Sequence, residues 1–349
     1  MKTKNIGKFV LSALVATTVS FASCSDWNDV ESVNVIQPNI KDQNPALYAK
    51  YLESLRAYKN SDHKLVYAWF DNSEKTPFNR AQHLTEIPDS VDVVALMHPD
   101  KLVDRELKEI ESIKTEKGTK VIYTIDFDAM KLIYDLRAKE QPAPKEGEAS
   151  TFPDFITFMT DSLSYSLSLA NKYNYDGISI SYLGKSRMHM TPAEKKIYTE
   201  NQNAFMGIVK TWQERNTNKI MVFEGQPQNL IDKTILEKCQ MILLPALAIN
   251  NAYELTYMAS IAKAEGAPVD RLGIKVSSVS LDEADTKTGY TADGRRAIPV
   301  AAEWAIAAHD GFAINGFAIM NINTDYYNPA LVYKYSRQAI TTLNPSIKN

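Results

Sequence analysis

The sequence predicts one α/β domain that folds as a (β/α)₈ barrel, also called a TIM barrel. Eight short apolar runs rich in β-branched residues alternate with longer segments of helical period over about 300 residues. The runs are continuously hydrophobic, which indicates strands buried on both faces, as in a parallel sheet covered by helices. An open doubly wound sheet is the alternative, but no glycine-rich dinucleotide or P-loop signature follows the early strands.

The eight strands and their helices are assigned in chain order from these runs. We expect strands at Leu65–Phe70, Val91–Met97, Lys120–Phe127, Gly177–Tyr182, Lys219–Phe223, Met241–Leu244, Leu272–Val276 and Gly316–Met320. Helices are expected at about 44–59, 101–117, 154–174, 192–215, 228–238, 251–265, 299–309 and 328–342. Two long connections, 138–152 and 279–298, follow the third and seventh strands, at the end where barrel proteins build their sites.

Local signals mark several helix ends. Thr191 stands before Pro192, with Glu194 three residues after the threonine, which is the pattern of a capped helix start. Gly118 and Gly266 follow predicted helices, where a left-handed residue is favoured. These signals support the predicted helix bounds.

The first residues have the features of an export signal. Residues 1–8 carry three lysines, residues 9–22 are uncharged and mostly apolar or small, and Phe21-Ala22-Ser23-Cys24 follows. This arrangement resembles a bacterial lipobox, which implies lipidation of Cys24, and the nearby acidic residues resemble the surface-export tag of Bacteroidetes lipoproteins. A plain signal peptide with an incidental cysteine is the alternative. We therefore predict a signal peptide at 1–23, a tether at 24–40, a barrel at 41–349 and a lipid-anchored location at the outer membrane or cell surface.

Charge and cysteine content exclude several function classes. The chain has 39 basic and 42 acidic residues, a net charge of −3, so a nucleic-acid partner is not expected. If Cys24 is acylated, only Cys239 remains, and its position at the start of an apolar run predicts a buried, inert thiol. The five histidines lack metal-ligand spacing, and no metal or other cofactor is expected.

The fourth predicted strand carries the most informative motif, Asp176-Gly177 followed by Ser179, Ser181 and Leu183. This stretch resembles the fourth-strand motif of family 18 glycoside hydrolases, the chitinase and endo-β-N-acetylglucosaminidase group, which reads Asp-Gly-x-Asp-x-Asp-x-Glu. The resemblance extends loosely over the whole barrel. It implies a site at the carboxyl ends of the strands and a sugar ligand.

Three positions depart from the family pattern. Ser179 and Ser181 stand where the family has aspartates, and Leu183 stands where it has the catalytic glutamate that protonates the leaving oxygen. A strand has a period of two residues, so these positions point to one side. Leucine has no proton to donate, and general acid catalysis alone contributes roughly 10²–10⁴-fold. The resemblance therefore implies a degenerate motif with no catalytic residue at these positions.

Another strand end could supply a relocated acid. Glu224 ends the fifth predicted strand and is the first candidate, and Asp126 near the end of the third strand is the second. Each residue has a non-catalytic alternative. Glu224 could be a binding or structural carboxylate, and Asp126 could cap the next helix or bind ligand.

Aromatic faces and planar polar side chains bind sugars, and both types occur at the predicted strand ends. The candidate glycan-binding residues are Trp69, His98, Asp126, Tyr182, Glu224, Gln226, Asn321 and Tyr326. Trp69 and Tyr326 could equally be packing residues, and His98 could be an ordinary strand-end histidine.

Three functions are consistent with these features. The first is a non-catalytic surface lipoprotein that binds a glycan containing N-acetylglucosamine, such as an N-linked chain, for a glycan-uptake system with an outer-membrane importer and partner hydrolases. The second is an active endo-β-N-acetylglucosaminidase with a relocated acid. The third is a protein-interaction scaffold without a sugar site.

Overall fold

The predicted barrel is confirmed in the structure, a computed structural model that describes residues 40–141 and 151–345. Eight parallel strands pair in chain order and β8 closes the barrel against β1. The strands β1 to β8 span Leu65–Phe70, Val93–Leu96, Lys120–Asp126, Gly177–Tyr182, Ile220–Gly225, Met241–Pro245, Leu272–Ser277 and Ile314–Met320. Each predicted strand is present, with its ends displaced by at most two residues.

The described residues contain nine α-helices. In chain order, α1 to α9 span Ile40–Gln43, Pro45–Lys59, Asp104–Thr115, Phe127–Glu140, Phe155–Lys172, Pro192–Arg215, Ala252–Ala264, Ala297–Ile306 and Lys334–Leu343. The described residues from Tyr51 onward form one compact unit. Helix α1 and the first part of α2 belong to a separate unit.

Three helix predictions need correction. Helix α4 starts directly after β3 and was not predicted, because its apolar residues Leu132, Ile133 and Leu136 are exposed and form no buried stripe. No α-helix forms at 228–238, where two 3₁₀ turns are separated by extended backbone at Leu230. The last helix begins at Lys334 rather than at 328, after a 3₁₀ turn.

The predicted helix-end signals are confirmed. Thr191 accepts a hydrogen bond from the Glu194 backbone, and the Glu194 carboxylate accepts one from the Thr191 backbone. Gly118 and Gly266 have the left-handed φ values of 69° and 83°. Local sequence therefore sets these helix ends.

Both faces of the strands are buried, as predicted. Ile178, Ile180 and Tyr182 of β4 belong to the apolar layer between strands and helices. Tyr67, Trp69, Val222 and Leu243 are among the side chains that form a separate apolar cluster from the alternate strand positions. These alternate positions face the interior of the barrel.

Several sequence predictions lie outside the described residues. They include the signal peptide, Cys24, almost all of the tether and most of the 138–152 connection. In the part of the chain that the structure describes, none of the helices is both long enough and apolar enough to cross a membrane.

Candidate functional site

Three side chains from neighbouring strands share one level near the carboxyl end of the barrel. Ser181 on β4 pairs in register with Asp126 on β3 and with Glu224 on β5. Ser181 and Glu224 are buried, and Asp126 is half-buried. Strand alternation turns all three toward the barrel interior. The structure therefore brings both candidates for a relocated acid, Asp126 and Glu224, beside Ser181 of the degenerate motif.

A buried ion pair crosses the interior of the barrel. Lys275 Nζ on β7 donates to Glu224 Oε1 at a distance of 2.5 Å. Only 3% of the lysine side chain and 11% of the glutamate side chain are exposed. The Lys275 ammonium also lies 3.7 Å from the centroid of the Trp69 ring. Trp69 Nε1 donates to Thr124 Oγ1 at 2.9 Å. The protein's own charged and aromatic groups therefore occupy the interior at this level.

Opposing effects act on the Lys275 ammonium. Burial is the largest and lowers the pKa of Lys275, whereas the charges of Glu224 and Asp126 act to raise it. A buried pair offsets its lost hydration only when its geometry is good. Glu224 Oε2 and the Oγ of nearby Ser179 have no hydrogen-bond partner among the described residues. Glu224 therefore depends on Lys275 to compensate its buried charge.

Asp126 uses both carboxylate oxygens in local structure. Its Oδ1 accepts a hydrogen bond from the Ala129 backbone at 2.8 Å and caps α4, and its Oδ2 accepts from Ser181 Oγ at 2.9 Å. The capping role left open by the sequence is therefore present. In this arrangement Asp126 acts as an acceptor that positions Ser181.

Leu183, at the family's glutamate position, directly follows β4 at the carboxyl end of the barrel. Its side chain is 41% exposed, so a hydrocarbon stands at the surface there. Its backbone N–H donates to Asp128 Oδ2 at 2.9 Å, and its carbonyl accepts from Asn229 Nδ2 at 2.7 Å. The position is thus held by the backbone and offers no acidic group.

Asp128 is a carboxylate beside position 183 that the sequence analysis missed. Burial is the main cause that raises the pKa of Asp128, the backbone hydrogen bond from Leu183 opposes it, and the charge of Asp126 adds to the rise. The available signal was its place two residues after Asp126, immediately beyond the third strand.

The structure corrects two of the predicted sugar contacts. Tyr182 is fully buried on the helix side of β4, where its hydroxyl accepts from Gln202 Nε2 at 2.6 Å. Neighbouring residues in a strand point to opposite faces, and Ser181 faces the interior, so Tyr182 faces the helices. Trp69 does face the interior but is 2% exposed, and the Lys275 ammonium covers its ring. Neither ring presents an open face for stacking.

The other predicted sugar contacts differ in accessibility. His98 is exposed, with Nε2 3.5 Å from Asp71 Oδ1, and Gln226 is also exposed. Asn321 is half-buried in a left-handed conformation at the end of β8. Tyr326 is half-buried and its ring packs 5.4 Å from that of the buried Tyr333, which favours the packing alternative. His98, Asp126, Gln226 and Asn321 remain accessible near the carboxyl ends of the strands.

Two buried asparagines hold the strand ends and were also missed. Asn72 exchanges 2.8 Å hydrogen bonds with the backbone of His98 and donates to Glu106 Oε1. Asn323 accepts from the Asp71 backbone at 2.8 Å. Each asparagine stands just beyond a predicted strand, which was the available signal for a tie between β1 and its neighbours.

Other candidate chemistry is limited. Within residues 40–141 and 151–345, no group of three His, Cys, Asp or Glu side chains could hold a metal ion. Cys239 is buried, as predicted, and burial raises the pKa of its thiol to about 12. The thiol is therefore protonated at neutral pH and is a poor nucleophile.

Comparison with protein families identifies the chain. The model of glycoside hydrolase family 18, BT1044-like, matches residues 28–342. The chain belongs to this family. Among curated protein sequences, none matches this family 18 chain.

Several solved structures share the fold of this chain. BT1044, in a selenomethionine form with a Glu-to-Gln substitution, has a TM-score of 0.62 and 18% identity over 87% of this chain and 95% of BT1044. Endo-β-N-acetylglucosaminidase from Cordyceps militaris has a TM-score of 0.56 and 16% identity over 85% and 96% of the two chains. A doubly substituted form of that enzyme, in complex with fucosyl-N-acetylglucosamine-Asn, has a TM-score of 0.55 and 14% identity over 84% and 95%.

Proposed function

We propose that this family 18 chain binds a glycan containing N-acetylglucosamine and does not cleave it. The observation that carries the proposal is the Lys275–Glu224 ion pair, which lies against Trp69 in the interior of the barrel. Together with Leu183 at the position of the family's acid, it leaves the barrel centre, among the described residues, without a free carboxylic acid to protonate the leaving oxygen.

The two candidates for a relocated acid, Glu224 and Asp126, support the same proposal. Glu224 Oε1 accepts from the buried Lys275 ammonium, so this carboxylate is already engaged within the barrel. Asp126 accepts hydrogen bonds at both oxygens, one of them as a helix cap. Cleavage needs a general acid that can protonate the leaving oxygen, and both carboxylates are instead engaged by groups of the protein itself.

The ligand class rests on the family. Two of the structures with the same fold are named as endo-β-N-acetylglucosaminidase, and one holds fucosyl-N-acetylglucosamine-Asn. We propose that this chain takes the same class of sugar, through accessible polar groups such as His98, Asp126, Gln226 and Asn321.

The proposed cellular setting follows from the sequence. We propose that Cys24 is lipidated and anchors the chain at the outer membrane or cell surface, with residues 24–40 as the tether. There it would concentrate glycan for an outer-membrane importer and partner hydrolases. Metabolic labelling with an alkyne fatty acid, lost in Cys24→Ala, tests the anchor.

One observation favours a second candidate, an active hydrolase that uses Asp128. The raised pKa of Asp128 favours the protonated form that a general acid needs, and its carboxylate touches the backbone of position 183.

A binding and turnover assay separates these functions. The purified chain is incubated with a glycopeptide that carries a chitobiose-core glycan, with binding measured by calorimetry and release by mass spectrometry. We expect binding with the glycopeptide intact. Release that is abolished in Asp128→Asn would establish the hydrolase and contradict the proposal. Neither binding nor release would favour the scaffold.

A further inference from the structure

A cleft of about 460 Å³ lies beside the end of β4. It is bounded by the first turns of α4 and by the loop and helix start that follow Leu183, from Gly184 to Asn201. The buried ring of Phe127 is part of its lining. Its volume falls within the range of about 300–1,000 Å³ found for pockets that bury small ligands. The cleft is therefore large enough to be a site in its own right.

Asp128 places a carboxyl group in this cleft. Its Oδ2 accepts from the Leu183 backbone, which fixes the group next to the barrel mouth. Burial raises the pKa of Asp128, so its charged form is incompletely hydrated. A carboxyl group in this state is stabilised by additional donors, and the hydroxyl and amide N–H groups of a sugar are such donors.

The remaining lining selects against anionic ligands. Three carboxylates, Asp128, Asp135 and Glu194, line the cleft against two ammonium groups, Lys131 and Lys185. Lys131 is already paired with Asp135. When Asp128 is ionised, the lining has one more negative than positive charge, which disfavours sialylated, sulfated or phosphorylated sugars.

Apolar side chains complete the cleft. Met190 and Ile197 line it, and Ile197 is 59% exposed. A methyl group or the C–H face of a pyranose ring can cover such side chains and remove apolar surface from water. The cleft therefore combines an acceptor for polar N–H or O–H groups with an apolar wall.

We propose that this cleft binds a neutral N-acetylhexosamine residue, an inference that rests on the proposed glycan-binding function. The sugar donates hydroxyl or amide hydrogens to Asp128, and its acetamido methyl lies against Met190 and Ile197. At the barrel centre, Lys275 covers the buried ring of Trp69, so this ring is not available to stack on the same sugar. Binding is thus displaced from the barrel centre to its side.

Methyl NMR can locate the sugar directly. The full chain, labelled at methionine and isoleucine methyl groups, is titrated with N,N′-diacetylchitobiose. We expect saturable shifts of the Met190 and Ile197 methyl resonances. Met97 and Met320 line the barrel interior, and a disaccharide confined to the cleft should leave their methyl resonances unshifted.

Two variants test the cleft by different means. Asp128→Asn keeps an acceptor for the Leu183 backbone but removes the charge, and Asn201→Phe fills the cleft. We expect each to weaken chitobiose binding about tenfold or more, because a hydrogen bond to a charged group is lost or the ring is excluded. Asp161→Asn, an exposed carboxylate on α5, is the matched control and should bind normally. Thermal unfolding verifies that each variant is folded.

The outcomes separate this inference from the function on which it rests. Saturable shifts at Met97 or Met320, with none at Met190 and Ile197, would place the sugar in the barrel centre and overturn the inference alone. Shifts of Met190 with 3′-sialyllactose would overturn the preference for a neutral ligand. If N,N′-diacetylchitobiose gave neither binding heat in calorimetry nor shifts of the methyl resonances, the proposed function would be overturned, and the inference with it.

Discussion

The two ends of β4 differ in how closely they match the family motif. At the amino end, Asp176 and Gly177 match it, whereas toward the carboxyl end Ser179, Ser181 and Leu183 replace its three acids. The matching pair serves the barrel, and the replaced positions would have served cleavage. The comparison shows that the residues needed to close this barrel are separate from those needed for family 18 chemistry.

The amino end is held by backbone contacts that require these two residue types. Asp176 Oδ2 accepts from the Val121 backbone at 2.8 Å, and its Oδ1 lies 3.3 Å from the Lys114 ammonium. A Cβ at Gly177 would lie 2.0 Å from the Ile220 carbonyl oxygen. An aspartate and a glycine are therefore required for packing, whatever the ligand.

The same device recurs at the start of β2. Asp92 Oδ2 accepts from the Val66 backbone at 2.8 Å, and its Oδ1 lies 3.0 Å from His63 Nε2. In this barrel, the aspartates that precede β2 and β4 each accept a hydrogen bond from the backbone of the preceding strand. The Asp-Gly part of the motif is a structural signal as much as a functional one.

The largest expected effect is at the carboxyl end, in Lys275→Met. This change leaves the Glu224 carboxylate buried without its partner, which should lower the free energy of unfolding by about 3–5 kcal/mol. Urea denaturation followed by circular dichroism measures it. Lys108→Met, an exposed lysine on α3, is the control and should change stability by less than about 0.5 kcal/mol.

The double variant Lys275→Met/Glu224→Leu sharpens that result. Removing both charges should recover most of the stability, because a buried pair and an apolar pair of similar volume are often equivalent. If Lys275→Met alone were as stable as the parent chain, the ion pair would not be what compensates the burial of the Glu224 carboxylate.

At the amino end, Gly177→Ala should cost about 3 kcal/mol, the upper part of the range for overpacking. The new Cβ meets backbone, which cannot move aside as a flexible side chain can. Thermal unfolding measures the loss. Gly207→Ala in α6 is the matched control: it has open space around it and should gain about 0.5–1 kcal/mol. Equal melting temperatures for the two variants would contradict the assignment of Gly177.

A smaller effect should depend on pH at the His63–Asp92 contact. The hydrogen bond to Asp92 is the main cause that raises the pKa of His63 above 6.5. The folded chain therefore holds the proton more tightly than the unfolded chain. The resulting stabilisation is complete below about pH 6.5 and is lost as pH rises through the raised pKa.

His63→Gln tests this sign. The variant should lose about 1.5–3 kcal/mol at pH 5.5, where a hydrogen bond between charged groups is removed, and less at pH 8.5. Urea titrations at the two pH values provide the comparison, with His189→Gln at an exposed site as the control. A greater loss at the higher pH would contradict the protonated pair.

The smallest effect on stability is expected for Leu183→Glu. The side chain is exposed, so the free energy of unfolding should change by less than about 0.5 kcal/mol. The variant restores the family's acid, yet we expect no release of a chitobiose-core glycan, because Lys275 and Glu224 still fill the interior. Mass spectrometry of the products checks this, and any release beyond that of the parent chain would show that the centre admits a sugar.

The sequence by itself determined the barrel and several local contacts. Continuous apolar runs indicated eight strands, and the Thr191 and Asp126 caps depend on groups only three residues away. Strand period correctly separated Ser179 and Ser181 from Ile178 and Ile180. These features follow from rules that act over a few residues, so they can be predicted without the fold.

Tertiary structure alone decided what fills the site. Glu224 and Lys275 are 51 residues apart, and Trp69 comes from the first strand, so no local pattern brings these groups together. Helix α4 and the cleft beside it were missed for a related reason: exposed Leu132 and Leu136 give no stripe, and the cleft forms where two connections meet. Closing a barrel sets the contacts among distant strands, and those contacts decide which side chains remain open to a ligand.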